Sequence, residues 1–253
     1  MTNKIIIRAD DLGYSKAVDY GIYETIKNGL INNVGIMTNM PDAERAFNLI
    51  KNFDVCLGLH VNICTGFPLS NPSKIKSITT NNGFFIPSKN YRKSKKDIVN
   101  LEEVTLEIQA QYDRFIEITG KKPSYFEGHA VQSKNFKIGL KRVAKREDVA
   151  YLDFSLDPDI KTIPFKNTIM YPYMETLNEG FNPYDMLKNA SLDEHKDGFS
   201  MVVCHPGYLD KYILNHSSVT IPRTEDVEML TSPKVKKWII SNNIQLIKYS
   251  DIK

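Results

Sequence analysis

Five polar residues interrupt apolar stretches of the chain at points where they could do chemistry. The first stretch, Ile5-Ile6-Ile7, runs into Arg8-Ala9-Asp10-Asp11, and a second runs through Gly58-Leu59 into His60-Val61-Asn62. Two more end in Glu127-Gly128-His129 and Cys204-His205-Pro206-Gly207. The chain has five histidines, and three of them stand at these positions. Singly, each residue has an ordinary explanation. Asp10 or Asp11 would suit a helix N-cap and the positive end of the helix dipole. A lone histidine at a strand end is more often hydrogen-bonded than ligating. Together they are harder to explain, because clustered carboxylates repel and a buried unpaired charge is costly. A divalent cation relieves both problems. One Asp and two His make a three-ligand set that leaves positions open for water and substrate. Such a cation lowers the pKa of water from about 15.7 towards about 7. The second Asp is then placed to take the water's proton, and a histidine across the site to protonate a departing group. His205 fits that last role: Pro206 fixes the backbone after it and Gly207 allows a tight turn.

The pattern of elements explains how these residues could meet. Short apolar runs alternate with longer amphipathic segments. Strands are predicted at 5–7, 34–38, 55–61, 125–128, 149–154, 200–205 and 244–249. Helices are predicted at 15–28, with Ser15 as N-cap, and at 42–51, 101–119, 136–146, 184–190 and 225–242. This alternation implies a parallel sheet with helices outside. The fold class expected is α/β: a TIM-like (β/α) barrel of about seven parallel strands, irregular or incomplete, forming one catalytic domain over residues 1–253. An open doubly wound sheet is the alternative. In either fold the site gathers at the carboxyl ends of the strands, where the five residues fall. Two stretches break the rhythm and read as rim excursions, 66–97 and 156–183. The basic run at 89–96 reads as a solvated face.

Composition narrows the function classes. The 253 residues carry 33 basic and 30 acidic side chains, a net charge of +3, which gives no reason to expect a nucleic-acid or membrane partner. No stretch approaches the ~18 to 20 apolar residues of a membrane span. No GxGxxG follows the first strand, which weakens a dinucleotide reading. Cys56, Cys64 and Cys204 sit in or beside apolar runs and read as buried thiols. With no signal-peptide pattern at the N-terminus, a reducing cytoplasm is expected.

The motifs resemble those of the YdjC-like carbohydrate deacetylases, the chitooligosaccharide deacetylase family. The matching segments are Ile7-Arg8-Ala9-Asp10-Asp11-Leu12-Gly13-Tyr14-Ser15, Gly58-Leu59-His60-Val61-Asn62-Ile63-Cys64-Thr65-Gly66 and Cys204-His205-Pro206-Gly207-Tyr208. They occur in the family's order over nearly the whole chain. The resemblance implies hydrolysis of an N-acetyl group from an amino sugar or chitooligosaccharide, releasing acetate, and it implies a homodimer. It places the metal ligands at Asp11, His60 and His129 and the base at Asp10, with His205 protonating the leaving amine. One divalent ion is implied; His₂Asp ligation suits zinc, and a more solvated site takes magnesium or manganese. Asn62, Arg223 and Tyr208 are candidate substrate contacts, and Arg223 is also a candidate for ordering Asp10.

One motif departs from the family pattern. The third is typically Asp-x-His with further histidines at alternate positions, and here it reads Glu127-Gly128-His129-Ala130-Val131-Gln132-Ser133. Glu127 is therefore expected to support His129 through a longer side chain. The change leaves two other readings open, a hydrolase of another amide or ester and a sugar-binding or regulatory protein without catalysis. Asp19 stands where the family commonly has Asn.

Overall fold

A computed structural model describes residues 3–155, 157, 159–176 and 178–253. Leu156, Pro158 and Leu177, within the second expected excursion, lie outside the described residues. Strand β1 (Asn3–Leu12) leads into α1 (Lys16–Lys27), then β2 (Asn33–Ile36), α2 (Ala43–Ile50) and β3 (Cys56–Val61). After an excursion containing the short helix α3 (Ser88–Lys93) come α4 (Leu101–Thr119), β4 (Phe126–Gly128) and α5 (Lys134–Arg146). A hairpin, β5 (Ile163–Phe165) and β6 (Thr168–Tyr173), precedes α6 (Pro183–Leu192) and β7 (Gly198–Cys204). The chain ends with α7 (Lys211–His216), α8 (Ile221–Thr231), α9 (Pro233–Ser241) and β8 (Ile244–Leu246).

The strands lie in the order β4-β3-β2-β1-β7-β6-β5, with β8 pairing the first residues of β1. Every ladder is parallel except β5 with β6. The sheet curls into an incomplete barrel, as expected. Among the described residues no ladder joins β4 to β5. Alternation along β1 shows the two faces. Ile5, Ile7 and Ala9 pack in the large cluster under the helices, with Val18 and Ile22 of α1 and Met186 of α6. Ile6 faces inward to a smaller cluster with Tyr125, Met201, Val203 and Tyr249.

Several expected elements need correction. The strand at 149–154 reduces to a single bridge between Tyr151 and Phe126. The helix at 225–242 is two helices parted at Ser232, because Pro233 has no N–H to continue the ladder. The final strand stops at Leu246, and Tyr249–Asp251 form a 3₁₀ turn. Among the described residues no helix is long and apolar enough to cross a membrane. Ser15 caps α1 as read from the sequence, accepting from the Val18 N–H at 3.3 Å.

Gly58 on β3 is needed for close approach. A Cβ there would lie 2.2–2.4 Å from three carbons of the Tyr125 ring. Gly58→Ala is expected to cost about 1–3 kcal/mol of stability by overpacking. Urea denaturation checks this, and an unchanged midpoint would show that the ring has room to move.

Candidate active site

Alternation within each strand delivers the polar side chains in pairs two residues apart. Arg8 and Asp10 share the inner face of β1 with Ile6. His60 follows Gly58 on β3, and Glu127 and His129 follow one another across the end of β4. His205 continues the inward set of Met201 and Val203 on β7. The β3–β4 register sets His60 directly opposite Glu127. Gly35 of β2 stands between β1 and β3, and a Cβ there would lie 3.0 Å from Asp10 Oδ1 and 3.2 Å from His60 Cβ. Its missing side chain lets side chains from strands one and three meet across strand two.

Asp11 is the exception to alternation. A regular strand would turn it away from Asp10. The β1–β2 register slips by one residue between Ala9 and Leu12, and Asp11 adopts φ 77°. This bulge turns both neighbouring carboxylates into one cavity. A left-handed backbone at a non-glycine residue costs of order 1–3 kcal/mol. Arg223 of α8 holds the result in place, its Nη2 lying 2.7 Å from Asp11 Oδ2. Arg223 thus orders Asp11 rather than Asp10, one of the candidate partners read from sequence. Asp19, uninterpretable in the sequence, accepts the Gly13 N–H at 2.7 Å and pairs with Arg45, tying down the turn just after the bulge.

Three potential ligand atoms converge. Asp11 Oδ1 lies 3.3 Å from His60 Nε2 and 3.1 Å from His129 Nδ1, and the two ring nitrogens are 3.0 Å apart. Asp11 Oδ1 is buried and makes no hydrogen bond of acceptable geometry. Glu127 Oε1 lies 2.7 Å from His60 Nδ1. The altered third motif therefore supports His60, not His129, and leaves His60 Nε2 to face Asp11. Arg8 Nη2 lies 2.7 Å from Asp10 Oδ2 and 2.7 Å from Glu127 Oε2.

The electrostatics favour a cation. Burial pushes the Asp11 carboxyl up, but His129 and Arg223 beside it prevail and hold it well below the usual range. Burial also works against charge on the imidazoles; Asp11 nevertheless raises His129 to about 9, and Glu127 and Asp10 raise His60. Burial, opposed by Arg8, raises Asp10 to about 6. His205 behaves differently. Burial, with Arg223 and the other two imidazoles nearby, lowers it to about 3. Its ring reaches Thr176 Oγ1 at 3.5 Å, and its backbone N–H donates to Asp226 Oδ2 at 2.8 Å.

These residues line a cavity of about 130 Å³ whose wall also includes Tyr14, Cys64, Phe154, Met174 and Thr176. Arg223 is on that wall; Asn62 and Tyr208 are not. Asn62 is fully buried and caps its own turn, accepting from the Cys64 and Thr65 N–H groups. Tyr208 is 43% exposed. His216 ends α7 and lines the cavity. Arg8 and Asp226 had no role in the sequence reading. Arg8 carried a signal: a charged residue two before Asp10 in an apolar strand shares its face.

The family profile described as YdjC-like protein matches residues 4–241. The chain belongs to the YdjC-like family. It is 31% identical to carbohydrate deacetylase 2 of Listeria innocua, over 98% of each chain. It is also 31% identical to a carbohydrate deacetylase of Clostridium beijerinckii, over 98% of this chain and 100% of the other. Among solved structures, an Enterococcus faecalis V583 protein named for cellobiose-phosphate cleavage superposes with TM-score 0.83 at 23% identity, over 100% and 99% of the chains. A family 4 carbohydrate esterase from Streptomyces lividans shares the fold at TM-score 0.55 and 6% identity, covering 96% of this chain and 91% of that one.

A cation in this YdjC-like site must displace the protons that Asp11 and Glu127 draw onto the imidazoles. With His129 raised to about 9 and His60 raised as well, those protons bind more firmly as pH falls. Divalent-metal affinity is therefore expected to rise by about tenfold per pH unit for each proton displaced, from pH 6 towards 9. Competition with a chelating dye at pH 6, 7 and 8 measures this. A flat profile would contradict it.

Proposed function

We propose that the chain is a carbohydrate deacetylase that removes an N-acetyl group from an amino sugar or chitooligosaccharide and releases acetate. The observation that carries this reading is the convergence of Asp11 Oδ1, His60 Nε2 and His129 Nδ1, with Asp10 alongside. The names of the full-length relatives point the same way. Asp11, His60 and His129 would hold one divalent cation, and their mixed N/O donors suit zinc better than magnesium. Bound there, the cation would polarise the acetamide carbonyl and acidify water.

The chain's own residues account for the rest. The cavity, about 130 Å³, is well below the ~300–1,000 Å³ of sites that enclose whole drug-sized ligands. It suits an acetamido head, with the sugar at the mouth. Asp10, at about 6, is ionised at neutral pH and able to take the proton of the attacking water. His205, at about 3, enters the cycle neutral. The proton that the leaving nitrogen receives through His205 is thus one released during the cycle, not one stored on the ring. Amide and water become acetate and amine. Glu127 keeps its hold on a ligand, which favours a working site over the binding-protein reading.

Acetate release from di-N-acetylchitobiose with Zn²⁺, Co²⁺, Mn²⁺ or Mg²⁺ tests the activity. Asp11→Ala and His60→Ala are expected to lose bound metal. Asp10→Asn is expected to keep it and lose about 10²–10⁴ in kcat. His205→Ala should also keep metal. A near-native rate in Asp10→Asn would refute its role as base. No acetate with any metal, alongside sugar binding, would favour the non-catalytic reading.

A further inference from the structure

The site contains a second set of ligand-type atoms. Asp10, His60 and Glu127 each offer one atom, all within 4.8 Å of one another, and they share His60 with the first set. Two such sets around one histidine resemble the donor supply of two-metal hydrolases, whose ions lie about 3.5–4 Å apart. Here, however, a side chain already occupies the second position. Arg8 bonds Asp10 and Glu127 through one nitrogen, 2.7 Å from each. The residue is 1% exposed and lies between the rings of Phe154, at 5.4 Å, and Tyr125, at 5.8 Å. Among the described residues its Nε and Nη1 have no acceptor, so the two carboxylates are its hydrogen-bonding partners.

We propose that Arg8 is a built-in cation standing in for a second metal ion, so that the site takes one divalent ion and no more. This rests on the cation reading of the Asp11, His60 and His129 set. A guanidinium keeps its charge at any working pH and cannot exchange with solution. It pairs with Asp10 through Oδ2 alone and leaves Oδ1, buried and without a partner, free to accept a proton. It also fixes Glu127 as the acceptor for His60 Nδ1, the atom a second ion would need. Charge points the same way. Three buried carboxylates face the guanidiniums of Arg8 and Arg223. Their formal charges leave one negative charge; one divalent ion takes the set to +1, and a second beside Arg8 would take it to +3, a large buried positive excess.

The test is metal stoichiometry, which needs no substrate. Protein saturated with Zn²⁺ or Co²⁺ and freed of excess is analysed by elemental mass spectrometry. One ion per chain is expected for the native protein and for Arg8→Lys, and two for Arg8→Gln. If Arg8→Gln folds only with metal, recovery of native circular dichroism should require two equivalents. One ion in Arg8→Gln, two in the native protein, or, in a variant that folds only with metal, recovery with one equivalent would overturn the proposal. No ion in the native protein would instead overturn the cation reading itself, and this inference with it.

Discussion

Two neighbouring carboxylates must face one buried cavity, and much of this molecule follows from that requirement. Asp10 and Asp11 are consecutive, so regular pleating would separate them. The one-residue bulge and the φ of 77° at Asp11 overcome the pleat. They also create a problem, since two carboxylates, with Glu127 close by, repel in a low-dielectric interior. Two arginines resolve it from opposite sides. Arg8 rises from the barrel floor to bridge Asp10 and Glu127, and Arg223 reaches in from α8 to Asp11. Asp10 and Asp11 each keep one buried oxygen, Oδ1, without a good hydrogen-bonding partner, and that of Asp11 faces two imidazoles.

The same bracket reaches His205. Asp226, one turn after Arg223 on α8, accepts the His205 N–H, and the Arg223 carbonyl accepts the Gly207 N–H. The Tyr208 N–H goes to Ala17, and Pro206 has none to give. The His205 turn therefore has no free backbone donor between 205 and 208 for an oxyanion. In the proposed reaction its contribution is confined to the His205 ring. Gly207 also packs tightly against α1: a Cβ on it would lie 3.1 Å from Val18 Cγ2 and 3.2 Å from Val18 Cα, and a Cβ on the facing Gly21 would lie 2.4 Å from Gly207 Cα.

The sequence was most legible where periodicity and strand ends carry the signal. β1, β3 and β7 are continuous apolar runs, so their ends, and with them Asp10, Asp11, His60 and His205, could be placed on one rim. Side-chain partnerships were less legible. Glu127 was expected beside His129 because the two are neighbours in sequence, whereas the β3–β4 register sets it opposite His60. Arg223 was open to a substrate hydroxyl, to Asp10 or to a surface ion pair, and the bulge brings Asp11 within its reach instead. The 149–154 run has the composition of a strand yet forms one bridge, because the barrel stays open beside it. Composition does not report whether a neighbouring strand exists to pair with.

In the proposed site Asp11, His60 and His129 together hold a single divalent ion. Anomalous diffraction at the zinc edge from crystals grown with Zn²⁺ tests it most directly. One anomalous peak is predicted, about 2.0–2.2 Å from Asp11 Oδ1, His60 Nε2 and His129 Nδ1, with no second anomalous peak between Asp10 and Glu127. A peak ligated by Asp10 or His205 in place of one of the three, or no peak in the cavity, would contradict the account.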